Sequence, residues 1–439
     1  MSMNFPRAYL FENARIIDPS QKLDRTGRLL VCDGKIAALD PSDGDIPHDC
    51  LRIQAAGLIL APGLVDVGTE LGEPGREEDE TIASGCAAAL AGGFTSIACA
   101  ASTEPPLDSA PSVQFVLQKA SRASQCRVHV IGAVSKMRQG VELAEIGSLV
   151  DAGAVALSDA PRPIENTALM RRALEYCSMF DVPVLDHPEV PSLTGGGVMH
   201  EGMVQLALGL PPIPAEAEDL ATARDLRLVE ATGGRLHLLG ISTIGSVELC
   251  RRAKHQGLRF TAGIFPANFH LTDELLRSFD SNAKLNPPLR ARMHVESCLE
   301  GLRDGTIDVI SSGHRPRSLE KKMQELDAAP FGMISLETTL ATVITHLIQP
   351  GILSWTSALE KLSLNPARML GIEGGTLEVG KAADFILIDP KVSWIVDPDC
   401  LLSRASNTPL AGETLQGRVV EAWVGGERKW NAETTSLVG

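Results

Sequence analysis

The sequence lacks an excess of basic residues. It contains 40 Lys and Arg against 55 Asp and Glu, which gives a formal net charge of −15 at pH 7. Nucleic acids and anionic membranes bind basic surfaces that replace their counterions. We therefore expect neither nucleic acid nor membrane as a partner of this chain.

Long apolar runs and paired cysteines are missing as well. No segment approaches the about 18 consecutive apolar residues of a membrane-spanning helix. Residues 1–10 lack the charged segment and apolar stretch of a signal peptide. The nine cysteines are scattered without a Cys-x-x-Cys pair, so neither a zinc ribbon nor a disulfide framework is indicated. We expect a cytoplasmic protein with reduced, mostly buried thiols.

The chain does contain enough apolar material for a large core. At 439 residues, 44% of them hydrophobic, it can form one large domain with a smaller one attached. Residues 8–60 alternate short apolar runs with turn signals such as Asp33-Gly34, which is typical of antiparallel hairpins. The same pattern returns after residues 374–380. We predict that segments 1–56 and 372–439 together build one small β-sandwich domain.

The middle of the chain, residues 57–371, has a different pattern. Apolar strand-like runs alternate with longer helical stretches, which favours a parallel sheet with crossover helices. Eight such runs predict a TIM (β/α)8 barrel, whose active site is assembled from the residues that follow the strands. The predicted strands cover residues 63–67, 95–100, 128–133, 154–158, 182–186, 236–241, 259–264 and 307–311.

Few metal-ligating side chains follow these predicted strands. A metal-assisted hydrolase needs about three to five His or carboxylate ligands converging at this edge, together with a carboxylate base. The residues alone offer Glu70 after the first strand, Asp159 after the fourth and His187 after the fifth. These three are enough ligands for a catalytic zinc. Because no base is nearby, we favour the alternative, in which they are hydrogen-bonded parts of the fold.

Other polar residues near the strand ends are expected to be structural. His314 follows the eighth strand and is expected to form packing or hydrogen-bonding contacts rather than to catalyse. His237 lies inside the apolar run 236–239 and is also expected to be structural. The acidic run 73–80 is interrupted by Pro, Gly and Arg. We expect it to be a solvated loop leading into a helix whose N-terminus favours acidic residues.

The chain resembles the dihydroorotases and related cyclic amidohydrolases over nearly its whole length. The strongest motif covers residues 61–75, Ala-Pro-Gly-Leu-Val-Asp-Val-Gly-Thr-Glu-Leu-Gly-Glu-Pro-Gly. The single motifs are weak, but their order and spacing together make the resemblance specific. The other matching segments are 91–95, 201–210, 217–218, 223–225, 232–237, 242–243, 282–284, 286–290, 304–308, 336–339, 365–368 and 383–384.

This resemblance implies a metal site from which half of the ligands are missing. The family's ligand positions fall on Gly68 and Glu70 (first strand), Asp159 (fourth), His187 (fifth), Gly240 (sixth) and Gly313 (eighth). In the family, the residue at the position of Gly313 is both ligand and general base. Glycine has no side chain, so it can neither ligate zinc nor accept a proton.

The substrate-binding positions implied by the resemblance are altered as well. The arginine that pairs with the substrate carboxylate falls on Gly72, an asparagine falls on Ser102 and a histidine falls on Arg317, whereas Asn282 is retained. Losing a buried charge-assisted pair costs about 2 to 5 kcal/mol. Losing the base costs about 10²- to 10⁴-fold in rate. We therefore assign no catalytic residue.

Together these losses predict a catalytically inactive dihydroorotase homologue of pyrimidine biosynthesis. We expect no cofactor, and zinc only if Glu70, Asp159 and His187 bind it. The resemblance implies a homodimer and an assembly role beside the aspartate transcarbamoylase catalytic chain. The alternative is a metal-dependent hydrolase of a cyclic amide with an atypical metal site. A third hypothesis is a protein that binds a regulatory ligand in the emptied barrel mouth.

Overall fold

The computed structural model describes residues 8–123 and 125–432. The two ends of the predicted β domain, residues 1–7 and 433–439, lie outside this range, as does most of the segment 1–10 considered as a signal peptide. The strands, in chain order, are Ala8–Asp18 (β1), Leu23–Cys32 (β2), Lys35–Leu39 (β3), Leu51–Gln54 (β4), Ile59–Pro62 (β5), Leu64–Thr69 (β6), Phe94–Cys99 (β7), Arg127–Gly132 (β8), Ala154–Ser158 (β9), Val184–Asp186 (β10), Met199–His200 (β11), Pro212–Ile213 (β12), Leu236–Leu238 (β13), Phe260–Ile264 (β14), Val309–Ile310 (β15), Phe385–Ile395 (β16), Thr414–Val424 (β17) and Glu427–Asn431 (β18).

Helices connect the strands of the central part and surround them. Two π-helical turns, Ile344–Ile348 and Glu360–Leu364, follow the twelfth and thirteenth helices directly. The α-helices are Ile82–Ala91 (α1), Ala110–Ala123 (α2), Ile146–Asp151 (α3), Thr167–Ser178 (α4), Pro191–Thr194 (α5), Met203–Leu208 (α6), Ala215–Thr232 (α7), Ile244–His255 (α8), Pro266–His270 (α9), Arg292–Asp304 (α10), Leu319–Lys322 (α11), Leu336–Val343 (α12), Trp355–Leu359 (α13) and Asn365–Leu370 (α14). In the described residues, no helix is long and apolar enough to cross a membrane.

Eight parallel strands form the predicted barrel. Their order is β15-β14-β13-β10-β9-β8-β7-β6, which confirms all eight strands predicted from the sequence. Side chains link the first and last strands: the Asp66 carboxylate accepts from the backbone N–H of Ser312 at 2.5 Å and from its hydroxyl at 2.6 Å. The interior is filled by small and branched residues such as Val67, Ala98 and Leu185.

The two ends of the chain form a second eight-stranded sheet, as predicted. Strand β1 pairs with β2 and β4, and β5 connects this half to the C-terminal strands through β16. The rings of Phe11, Phe385 and Trp423 pack together in its core, with centroids 5.0 to 5.6 Å apart. Strand β5, Ile59–Pro62, belongs to this sheet through its pairing with β1 and β16.

Local sequence signals fix the helix ends at the edge where the barrel strands finish. Thr81 begins α1 with a capping box, since its hydroxyl accepts from the Ser84 N–H and Ser84 accepts from the Thr81 N–H. Thr243 begins α8 in a similar way by accepting from the Ser246 N–H. These caps place the loops after the strands in fixed positions around the barrel mouth.

Candidate functional site

Glu70 lies at the barrel mouth, directly after β6, where it is held by three arginines. Its carboxylate is 2.8 Å from Arg317 Nη1, 3.5 Å from Arg76 Nη2 and 3.8 Å from Arg315 Nε. The side chain is 3% exposed. Burial raises the pKa of this carboxyl, but the three guanidinium groups outweigh it and lower the pKa to about 2. Glu70 is therefore the counter-ion of an arginine cluster, which we call the Glu70 cluster.

The arginines of the Glu70 cluster are anchored by carbonyl oxygens. Arg76 donates to the carbonyl of Ser102, and Arg317 Nε donates to the carbonyl of Phe331 at 3.0 Å. The acidic run 73–80 is solvated only in part, because Glu77 and Glu78 are exposed whereas Asp79 and Glu80 are buried. The run does lead into a helix, and Glu80 is fixed there by hydroxyl and backbone donors.

Asp159 follows β9 and is saturated by hydrogen bonds. One carboxylate oxygen accepts from the N–H groups of Val134 at 2.9 Å and Ser135 at 3.1 Å, and the other accepts from the Ser135 hydroxyl. Burial raises the pKa of Asp159, partly opposed by these donors. Arg138 donates to the Asp159 backbone carbonyl at 2.7 Å. The carboxylate thus ties two strand ends together.

His187 follows β10 and belongs to a third, separate group. Its Nε2 lies 3.1 Å from Asn286 Oδ1 and 3.3 Å from Glu189 Oε2. The Asn286 amide also donates to Glu189 at 2.9 Å. Burial raises the pKa of Glu189, but the contact with His187 and other hydrogen bonds lower it to about 2. Among the described residues, the buried Nδ1 of His187 has no hydrogen-bond partner.

The three sequence-predicted metal candidates are not assembled into a metal site. In the described part of the chain, the ligand atoms of Glu70, Asp159 and His187 do not form a group within 4.8 Å of one another. Glu70 is neutralised by arginines, and the Asp159 oxygens are taken by donors. Only His187 keeps an unused buried ligand atom. Since catalytic zinc needs three converging ligands, these residues do not fit a metal in the arrangement they have.

An aromatic ring occupies the space beside two of the glycines. A Cβ atom on Gly240 would lie 2.5 Å from Phe265 Cε2, and one on Gly313 would lie 2.7 Å from Phe265 Cγ. Both glycines have φ of +66°, a backbone conformation that side chains other than glycine rarely adopt. Phe265, which follows β14, therefore fills the volume that side chains at these two positions would need.

The other two glycines of the mouth have different surroundings. A Cβ on Gly72 would lie 2.4 Å from the Glu80 carbonyl oxygen, so the turn has no room for a side chain. A Cβ on Gly68 would meet only Leu239 Cδ2, at 3.8 Å in the described structure, although its φ is +83°. Steric crowding thus excludes a side chain at Gly72, whereas at Gly68 the backbone conformation alone disfavours one.

Little free volume remains at the mouth. The cavity there measures about 10 Å³, which is room for about one water molecule. The Arg315 guanidinium lies 5.9 Å from the centroid of the Phe265 ring and closes the cavity on one side. The third hypothesis, a ligand-sized opening left by the glycines, is wrong for this conformation because Phe265 and the Glu70 cluster fill the space.

The remaining predicted positions lie around the Phe265 ring and the Glu70 cluster. Arg317 and the Ser102 backbone belong to the Glu70 cluster. Asn282 sits in a short turn, Ser281–Ala283, and does not line the mouth cavity. His314 is buried, accepts from the Ser335 N–H at 3.1 Å and lies 3.5 Å from Glu80. His237 lies beside the Thr261 hydroxyl at 2.8 Å inside the barrel.

Sequence reasoning missed the residues that fill the mouth. Phe265 directly follows the seventh strand, where a site would place a polar side chain, and this was the available signal. Arg315 lies two residues after Gly313 and gave a weaker signal of the same kind. Arg76 gave no signal that separates a buried counter-ion from a solvated loop residue.

Comparison with known proteins identifies the family to which this architecture belongs. The profile of the family described as "Amidohydrolase family" matches residues 59–429. The chain belongs to the amidohydrolase family. Among solved structures, this amidohydrolase is similar to L-hydantoinase (dihydropyrimidinase) from Arthrobacter aurescens, with a TM-score of 0.86 and 23% identity over 96% of this chain and 95% of that one. That likeness confirms the barrel fold with its chain-end sheet.

Several relatives of this amidohydrolase are named as dihydroorotases. A protein of Rhodopirellula baltica, which is named a dihydroorotase only provisionally, is 50% identical over 97% of this chain and 94% of its own length. The dihydroorotase of Syntrophus aciditrophicus is 44% identical over 95% of this chain and 98% of its own. That of Pelotomaculum thermopropionicum is 44% identical, over 95% and 97%. The chain is thus a dihydroorotase-like member of the family.

Proposed function

We propose that this amidohydrolase does not hydrolyse a cyclic amide at its barrel mouth and serves instead as a structural partner in an assembly. The observation that carries the proposal is the position of Phe265, whose ring fills the volume beside Gly240 and Gly313. A ligand or base added at either glycine would collide with this ring. The chain's own packing thus favours a closed mouth over a reactive one.

The Glu70 cluster supports the same proposal. To act as a metal ligand, Glu70 would have to offer a carboxylate oxygen to the ion. Its carboxylate is instead paired with three arginines, whose total positive charge exceeds the single negative charge of Glu70. A divalent cation placed here would face that excess positive charge. With glycine at position 313, no side chain stands at the family's base position to take a proton from water.

As the partner we propose the catalytic chain of aspartate transcarbamoylase, together with a homodimer of this chain in the cytoplasm. The resemblance noted in the sequence supports the partner, and nine free cysteines are compatible with a reducing compartment. Co-expression of this chain with the transcarbamoylase of the same organism should give one co-eluting, high-mass complex. Two separate peaks at micromolar concentration would overturn the assembly role.

A second candidate function is a metal-dependent dihydroorotase or related cyclic amidohydrolase with an atypical site. The names of the relatives support this candidate more directly than they support a non-catalytic role. The Nδ1 of His187, a buried ligand atom without a hydrogen-bond partner among the described residues, also favours it. Glu70 and His187 would then have to hold a zinc ion, which would supply a Lewis acid, and this requires Glu70 to leave its arginines.

Zinc titration separates the two candidates. If the second is correct, zinc should raise the melting temperature of the wild type, and His187→Gln should reduce this shift and abolish dihydroorotate hydrolysis. If the first is correct, His187→Gln should leave any effect of zinc unchanged and hydrolysis should be absent from both proteins. His255→Gln, a change at an exposed histidine, is the matched control for non-specific binding.

A further inference from the structure

Away from the barrel mouth, two histidines and a glutamate converge from three segments of the chain. His270 is the last residue of α9, His346 lies in the π-helical turn Ile344–Ile348, and Glu413 directly precedes β17. Their ligand atoms all lie within 4.8 Å of one another, and no other group of this kind occurs in the described residues. This group, His270, His346 and Glu413, is called the lateral triad below.

The lateral triad has the chemistry of a zinc site. We propose that it binds one divalent transition-metal ion of the zinc class through the two imidazoles and the carboxylate, with water completing the coordination. Two histidines and one glutamate are a known ligand set for zinc with an open fourth position. The triad carries a single negative charge when both histidines are neutral. This charge attracts a divalent cation to the three ligand atoms.

The distances are close to those that a bound ion requires. Glu413 Oε1 lies 2.7 Å from His270 Nε2 and 3.0 Å from His346 Nε2. With metal–ligand bonds near 2.0 to 2.2 Å, two ligands of a tetrahedral ion lie about 3.3 Å apart. Binding therefore needs the atoms to separate by only a few tenths of an ångström, within the freedom of side chains that are partly exposed.

The orientation of the rings favours a shared ligand over a simple ion pair. The two imidazoles stack with centroids 3.5 Å apart and an angle of 26° between their planes, so both Nε2 edges face the same carboxylate. His270 Nε2 lies 2.7 Å from Glu413 but has no hydrogen-bond partner of suitable geometry among the described residues. This nitrogen can therefore direct its lone pair at an ion beside the carboxylate oxygen.

The backbone around the lateral triad is firmly held. Glu413 donates its N–H to the Leu410 carbonyl at 2.9 Å, and its own carbonyl accepts from the Val396 N–H at 2.9 Å. Near His346, the Thr345 hydroxyl accepts from the Gln416 N–H at 2.9 Å.

The test is a titration of metal-free full-length protein with Co²⁺ and Zn²⁺ in a non-chelating buffer at pH 7.5. We expect about one equivalent of Co²⁺ to give the visible absorption of a tetrahedral N/O site, and one equivalent of Zn²⁺ to displace it. Glu413→Gln and His346→Asn should each weaken binding at least about tenfold. His255→Asn, at an exposed histidine, should leave it unchanged.

Three outcomes would overturn the proposal. The first is less than a tenth of an equivalent bound at 50 μM metal, and the second is unchanged affinity in both triad variants. The third is binding lost in His187→Gln but kept in Glu413→Gln, which would place the ion at the barrel mouth. Because the melting temperature of each variant is measured without metal, a folding defect is distinguished from loss of the ligand. The result is independent of whether the mouth is catalytic.

Discussion

Replacing Glu70 with glutamine removes the one negative charge from a cluster of three arginines. Glutamine keeps the size of the side chain but cannot balance the guanidinium groups, which are themselves largely buried. Breaking a buried ion pair by removing one partner costs about 3 to 5 kcal/mol. We therefore expect Glu70→Gln to lower the free energy of unfolding by this amount at pH 7.

The pKa of Glu70 gives an independent magnitude. The folded state lowers this pKa from 4.5 to about 2, and each pKa unit corresponds to about 1.4 kcal/mol. Glu70 thus contributes about 3 kcal/mol at neutral pH. Because the pKa is depressed, this stability is complete above pH 4.5 and is lost as the pH falls toward 2. The variant should lack this part of the acid dependence.

The assay is urea unfolding followed by circular dichroism between pH 3 and 7. The matched control is Glu142→Gln, since Glu142 pairs with Lys136 at 2.6 Å where both side chains are at least half exposed. Such pairs contribute about 0 to 1 kcal/mol. The reasoning would be refuted if Glu70→Gln were as stable as the control. It would also fail if zinc stabilised the wild type but not Glu70→Gln, because Glu70 would then be a ligand.

Further predictions follow from the packing of the mouth and the barrel seam. Gly240→Ala should destabilise the protein by at least about 1 kcal/mol more than Gly233→Ala, because both have φ near +67° but only Gly240 faces the Phe265 ring; urea midpoints compare them. Phe265→Ala should cost about 3 to 5 kcal/mol without creating dihydroorotate hydrolysis, measured on the same preparation. Asp66→Asn should cost about 1 to 3 kcal/mol, because an asparagine amide has only one accepting oxygen, whereas Asp66 accepts from Ser312 through both of its oxygens. Thermal unfolding measures this loss, and an unchanged melting temperature would contradict the role of Asp66 at the barrel seam.

The fold was predictable from sequence because its signals are local and repeated. Each barrel strand is a short run of buried apolar residues, and its register is set by neighbouring strands that are also apolar. The pattern of residues does not assign β5 to either sheet, because β5 is as apolar as a barrel strand, and only its pairing with β1 and β16 places it in the end sheet.

The site was predictable only in part. The glycines at 68, 240 and 313 are visible in the sequence, but the side chain that fills the space beside Gly240 and Gly313 is not adjacent to them in the chain. Phe265 reaches Gly240 and Gly313 because β14, which it follows, lies between β13 and β15 in the sheet. Likewise, the lateral triad joins residues 143 positions apart, from 270 to 413, and no local motif connects them.

The central claim is that the barrel mouth of this dihydroorotase-like amidohydrolase is closed and does not catalyse. The most direct measurement is dihydroorotate turnover by zinc-loaded protein produced in a host without its own dihydroorotase. The account predicts a rate equal to that of the protein-free buffer. Turnover of about 1 s⁻¹ or more, in the range of ordinary enzymes, that is lost in His187→Gln would contradict it.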